Sequence, residues 1–220
     1  MMFNTVRTPE IPASLGAQQR YDGSDVYKVL CGIFYNKCYI CEAKEPHDIN
    51  VEHFIPHKGD KAKKFDWNNL YLACSRCNNI KLAEFDGILD CCDTSLDVFR
   101  AIRHVPPVTP YAKTVQLVTM VASAKAELTK DLLERVYNSD HTINKKISGG
   151  FLRRKVFDQY NSLLDQIASY YSPVATDDER RLSLERMKRL IHKSSPFSAF
   201  TRWCVLDDAE LGDLLAEFMD

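Results

Sequence analysis

The sequence predicts an α+β protein: a small zinc-stapled module followed by a mostly α-helical domain. Three observations predict it. Two C-x-x-C pairs, Cys38/Cys41 and Cys74/Cys77, bracket a segment dense in Cys, His and Asn. Pro106, Pro107 and Pro110 break the chain after that segment. Beyond them, apolar residues recur at helical spacing.

In chain order, residues 1–23 read as irregular, interrupted by Pro9, Pro12, Gly16 and Gly23. Ser24 is a plausible N-cap for an amphipathic helix from Asp25 to about Tyr35, with Val26, Val29, Leu30 and Ile33 on one face. The compact segment follows, from Asn36 to about Asp93. After the prolines, the spacing predicts a helix over Val115–Tyr137 through Leu117, Val121, Ala124, Leu128, Leu132 and Val136. Gly149-Gly150 reads as a break. Two more helices are predicted over Phe151–Tyr171 and Asp178–His192, the second capped by Thr176 or Asp177, and a short last one over Asp207–Met219. The domains expected are an N-terminal extended segment with the start of the first helix (1–30), the zinc module (31–100) and a helical domain (105–220).

Composition narrows the class. With 45% hydrophobic and 27% charged residues, the chain is ordinary for a soluble globular protein. No run approaches the roughly 20 apolar residues of a membrane span, and the opening Met1-Met2-Phe3-Asn4-Thr5 lacks the pattern of a signal peptide. A cytoplasmic protein without a membrane partner is expected. A formal net charge of −1 rules out a globally basic nucleic-acid binder, so any basic footprint is local. Residues 142–202 carry 12 Lys/Arg against 6 Asp/Glu, whereas the tail from Trp203 carries six acids and no base.

Eight cysteines occupy positions 31, 38, 41, 74, 77, 91, 92 and 204. A chain of this size with a proper core needs no disulfides, and two C-x-x-C pairs read as the ligands of one tetrahedral Zn²⁺. The remaining four, Cys91 and Cys92 included, read as small buried hydrophobes. The 32 residues between Cys41 and Cys74 exceed the spacer of a simple zinc ribbon. Inside that gap lies Glu52-His53, then Asn69 ahead of an apolar run, and Asn78 directly follows the last cysteine.

This arrangement, over residues 38–81, resembles the zinc-containing HNH, or ββα-metal, endonucleases. The family pattern is an acidic-His pair ending a strand, an Asn in the turn, and an Asn or His opening the helix. Glu52-His53, Asn69 and Asn78 match it position by position, with Glu where Asp is commoner and Asn in the place of the third, name-giving His. The resemblance implies phosphodiester hydrolysis. His53 is then the general base, Glu52 and Asn78 hold a catalytic Mg²⁺ or Mn²⁺, and Asn69 orients His53 by hydrogen bonding. Side chains alternate along a strand, so Glu52 and His53 reach one site only if the strand ends or bulges there. Lys81, three residues after Asn78 on the same helical face, is a candidate phosphate contact, as are Lys58 and Lys61 with Lys63 and Lys64 in the loop.

Blander assignments compete: a non-catalytic zinc module binding nucleic acid or protein, His47 and His57 as solvated loop residues, Trp67 and Tyr71 as core, and Arg153-Arg154-Lys155 as a solvated helix face rather than a nucleic-acid stripe. Outside the motif, Thr8-Pro9-Glu10-Ile11-Pro12, Glu52-His53-Phe54, Phe65-Asp66-Trp67-Asn68-Asn69-Leu70, Ile88-Leu89-Asp90-Cys91-Cys92-Asp93 and Ser194-Ser195-Pro196-Phe197-Ser198-Ala199-Phe200 follow in order. In these the chain looks like the PtuB nuclease subunits of Septu-type and retron-associated anti-phage defence systems. That resemblance implies a PtuA-like ATPase partner docked on the helical region, around the exposed-looking 196–200 stretch, and a nucleic-acid target, with DNA favoured over RNA.

Overall fold

The computed structural model of the protein describes residues 3–82, 84–140 and 148–219. A single turn, α1 (Ala13–Gly16), leads into α2 (Ser24–Ile33), which buries Val26, Leu30 and Ile33. The Asp25 carboxylate accepts from the Ser14 amide at 2.9 Å and its hydroxyl at 2.6 Å, folding residues 14–23 back onto the start of α2. A Cβ at position 23 would lie 2.4 Å from Ser14 Oγ and 2.6 Å from Asp25 Oδ1, so any larger residue has to displace that contact.

Strand β1 (Ile49–His53) pairs antiparallel with β2 (Leu70–Cys74), in register from Ile49↔Cys74 to His53↔Leu70. The loop between them holds α3 (Lys61–Lys64), capped by Asp60, and a 3₁₀ turn at Trp67–Asn69. Helix α4 (Ser75–Lys81) starts immediately after β2, its first amide bonded to Asp48 O. The result is a ββα unit. Then come α5 (Val98–Ala101) and a second hairpin, β3 (Ile102–Val105) against β4 (Gln116–Thr119). Five helices follow: α6 (Ala124–Asn138), α7 (Gly149–Tyr170), α8 (Asp177–Ile191), α9 (Ser198–Leu206) and α10 (Ala209–Leu215). The architecture is the α+β one expected, a small zinc-site module and a mostly helical remainder. No helix among the described residues is long and apolar enough to cross a membrane.

Several boundaries differ from those expected. The predicted helix at Val115 begins at Ala124, because Gln116–Thr119 pairs with β3 instead and buries Leu117. The proline segment is therefore the loop of a hairpin, and β3 lies where a domain linker was placed. Gly149-Gly150 opens α7 rather than breaking the chain. Ser148 caps it, and a Cβ on Gly149 would sit 2.5 Å from Ser139 O. The cap of α8 is Thr176, in a reciprocal capping box with Glu179. The helix expected at 207–219 is shorter, and α9 precedes it.

The 196–200 stretch is not an exposed docking site. Phe197, Ala199 and Phe200 are buried, with Phe200 edge-on to Tyr137 and His104. The helical part is joined to the zinc module through polar contacts as well. Tyr137 Oη donates to Cys41 O at 2.7 Å, and Arg76 Nη2 donates to Val136 O and Ser139 O. Arg153 is likewise interior, donating to Ala112 O and Tyr137 O, so it cannot belong to a nucleic-acid stripe.

Candidate active site

Cys38, Cys41, Cys74 and Cys77 are all buried, and their sulfurs lie within 4.8 Å of one another. The first pair sits on a turn in which Glu42 N donates to Cys38 O and Cys38 N to Ala43 O, with Glu42 in the left-handed region. The second pair spans the end of β2 and the first turn of α4. Sulfurs at about 2.3 Å from a tetrahedral zinc stand about 3.8 Å apart. The Cys41–Cys74 separation of 3.9 Å fits that figure. The donor set is four thiols with no open position, which suits a structural zinc. Cys91 and Cys92 lie outside it, grouped with Asp90.

A cleft of about 400 Å³ is walled by Tyr21, Glu52, His53, His57, Lys58 and Asn78. Glu52 and His53 both reach it because β1 ends at His53, without a bulge. Glu52 forms its floor. It accepts from Tyr39 Oη and, at 3.4 Å, from Lys81 Nζ. Burial raises its pKa, and the Lys81 charge opposes the rise. Asn78, in the middle of α4, is half-buried on the same cleft.

His53 is the best-defined group. Its Nε2 lies 3.0 Å from Lys64 O. A carbonyl can only accept, so the Nε2 position carries the proton and Nδ1 holds the free lone pair. Burial lowers the imidazole pKa, the Lys64 carbonyl bond opposes this, and the nearby His57, Lys64 and Lys81 reinforce it. The ring is therefore neutral, and an acceptor, at ordinary pH.

Asn69 does not touch His53. Its Oδ1 accepts from Ile55 N at 2.7 Å, and its Nδ2 donates to Ile55 O and Lys63 O, both at 2.9 Å. All of these bonds tie one limb of the 54–69 loop to the other. Since Lys63 directly precedes the carbonyl that holds His53, Asn69 acts on the imidazole through the loop backbone.

Lys81 departs from its expected place. It is 1% exposed, and its ammonium donates to Phe54 O at 2.7 Å, His53 O at 3.1 Å and Glu52 Oε2. Its three protons are spent on the strand end, so it steadies β1 rather than reaching for a phosphate. Lys58 is exposed on the cleft rim; Lys61 is exposed but outside the cleft wall. Trp67 and Tyr71 are core side chains.

Two cleft residues were missed in the sequence. Tyr21 places its ring 4.7 Å from that of His53, and no motif announces it because the contact depends on the folded-back turn at 14–23. His57, read as a solvated loop residue, places its ring 4.7 Å from that of His53 as well. Its only sequence signal is its position four residues after the presumed base.

A family model described as HNH endonuclease matches residues 38–84, the segment that holds the four cysteines and the cleft residues from Glu52 to Asn78. Among the curated proteins none matches the chain.

Proposed function

We propose that the chain is a metal-dependent endonuclease that hydrolyses nucleic-acid phosphodiester bonds with His53 as general base. One observation supports this most. The Lys64 carbonyl fixes the His53 tautomer with Nδ1 as acceptor, on a cleft shared with Glu52 and Asn78, within the segment that matches the HNH endonuclease model.

In the reaction so read, His53 Nδ1 takes the proton of a water poised beside the scissile phosphate. The Lys64 carbonyl gains most when that proton arrives, because an imidazolium donates more strongly than an imidazole. Asn69 keeps the carbonyl in place. Glu52 and Asn78 offer a carboxylate and an amide oxygen on one wall, a hard donor pair that fits Mg²⁺ or Mn²⁺. The ion, when bound, would polarise the phosphate and stabilise the leaving oxygen. Lys58 supplies positive charge at the rim, and Lys61 extends it along the loop toward the nucleic-acid backbone.

The wider motif order supports a further step, that the chain serves as the nuclease subunit of an anti-phage defence complex with a PtuA-like ATPase. With the 196–200 stretch buried, the partner would dock on the outer faces of α7 and α8, which expose Phe151, Leu164, Tyr171 and Leu182.

The test is cleavage of supercoiled plasmid and of single-stranded RNA with Mg²⁺ or Mn²⁺, alone and with any ATPase encoded by a neighbouring frame. His53→Ala should lower the rate by about 10² to 10⁴ while zinc content and melting stay unchanged. A His53→Ala protein that cuts as fast as wild type would remove the base from this mechanism.

A further inference from the structure

We propose that His57 is a second working imidazole of this cleft, a fixed N–H donor to a non-bridging oxygen of the phosphodiester under attack. The inference rests on the phosphodiesterase reading of the cleft and adds a residue to it.

The backbone after His57 sets its tautomer. Lys58 and Gly59 both take positive φ, +45° and +90°, which turns the chain so that Gly59 N–H donates to His57 Nδ1 at 3.1 Å. Asp60 N closes the same turn onto His57 O at 2.7 Å. A ring nitrogen that accepts carries no proton, so the hydrogen of the neutral ring sits on Nε2. His53 has the same tautomer but engages the other nitrogen: its Nε2 hydrogen is given to Lys64 O, and its Nδ1 lone pair is left free.

Two imidazoles of the same tautomer, with opposite nitrogens left free, therefore meet edge to face on one cleft, with ring centroids 4.7 Å apart. One offers an acceptor, the other a donor. A water bonded to His53 and within about 3 Å of phosphorus brings the phosphate oxygens within reach of the neighbouring ring. A second base is the wrong role for His57. To accept through Nε2 it would have to carry its proton on Nδ1, against the Gly59 amide. A donor held before charge develops is what a phosphorane-like transition state needs, since no dipole has to reorient during the reaction.

A packing role for the ring against His53 is the competing explanation, and two substitutions separate them. His57→Phe keeps an aromatic edge and removes the donor. His57→Gln removes the ring and keeps an N–H. The probe is thymidine 5′-(p-nitrophenyl phosphate), a diester cleaved without base recognition, with Mn²⁺ and the full zinc-loaded chain. Under this inference His57→Phe loses about 10²-fold in kcat with KM little changed, and His57→Gln stays within about tenfold of wild type. A stereospecific preference between the two phosphorothioate diastereomers of the probe should vanish in His57→Phe alone. Wild-type turnover by His57→Phe with loss in His57→Gln overturns the donor role in favour of packing. If both variants match wild type while His53→Ala is dead, only the His57 assignment falls. If all proteins, wild type included, behave alike, the nuclease reading falls with it.

Discussion

Replacing Glu42 should destabilise the protein more than replacing any single surface charge, because this carboxylate joins the zinc turn to the C-terminal helices. Glu42 follows Cys41, is fully buried, and meets Lys37 Nζ at 3.0 Å, itself fully buried. The same carboxylate accepts from Ser198 N at 2.6 Å, Ser198 Oγ at 2.7 Å and Ala199 N at 3.3 Å. It thus caps α9, whose N-cap residue Phe197 sits at φ 52° and offers no side-chain acceptor. Glu42→Ala leaves the Lys37 ammonium buried with only Ser195 O, Ser198 Oγ and the Phe3 ring face for company. Removing one partner of a buried pair costs about 3 to 5 kcal/mol. The lost cap contributes about 1 kcal/mol more. Against a total stability of roughly 5 to 15 kcal/mol, that brings the protein close to unfolding.

Lys37→Met should cost less, since Glu42 keeps three donors at the positive end of a helix. The double variant should be more stable than the sum of the single losses predicts, because no uncompensated charge remains. Urea denaturation of zinc-loaded protein measures all three. A Glu42→Ala loss below about 1 kcal/mol, or a Lys37→Met loss larger than it, would refute the reasoning, since both follow from the desolvated pair.

The other predictions concern metal and pH. Cys74→Ser should abolish zinc stoichiometry and unfold the module, which loses on the order of 10 kcal/mol of metal-linked folding energy. Elemental analysis that finds no zinc in well-folded wild type would contradict it. His104 is fully buried, donates from Nδ1 to Ile102 O and has no partner at Nε2; burial holds its pKa down to about 3. The unfolded chain protonates near 6.5, so this group costs nothing above that pH. Below it, only the unfolded state gains the proton, and stability falls by about 1.4 kcal/mol per pH unit, or about 2 kcal/mol by pH 5. His104→Leu should flatten the slope between pH 7.5 and 5; parallel losses in the two proteins would exclude His104 as its source.

What the sequence reveals is set by how local the determinant is. The four cysteines, the α2 face and the Thr176 cap are written within a few residues of where they act, and each is found in place. Val115–Thr119 reads as helix because Leu117 and Val121 stand at i, i+4 in a longer helical series, and only pairing with β3 shows the period here to be two. Phe197 and Phe200 look exposed in a polar context until Glu42, more than 150 residues away, draws the start of α9 inward. Lys81 lies on the expected helical face, yet the end of β1 offers its ammonium carbonyl oxygens that no spacing rule contains.

The cleft shows the same limit in a more consequential form. In the proposed mechanism the motif residues Glu52, His53, Asn69 and Asn78 set the chemistry, but not which nitrogen of His53 would act as base. That is decided by Lys64 O, and Lys64 O is placed by a loop with its own construction. Asp60 caps α3, Asn69 ties Lys63 to Ile55, and the left-handed pair Lys58-Gly59 turns the chain between them. The same turn holds His57 Nδ1 and leaves its Nε2 hydrogen free. The 54–69 loop thus sets both imidazoles at once. Under the proposed mechanism, changes in it reach the reaction without touching a motif residue, and the residues that tune the cleft should be sought between His53 and Asn69.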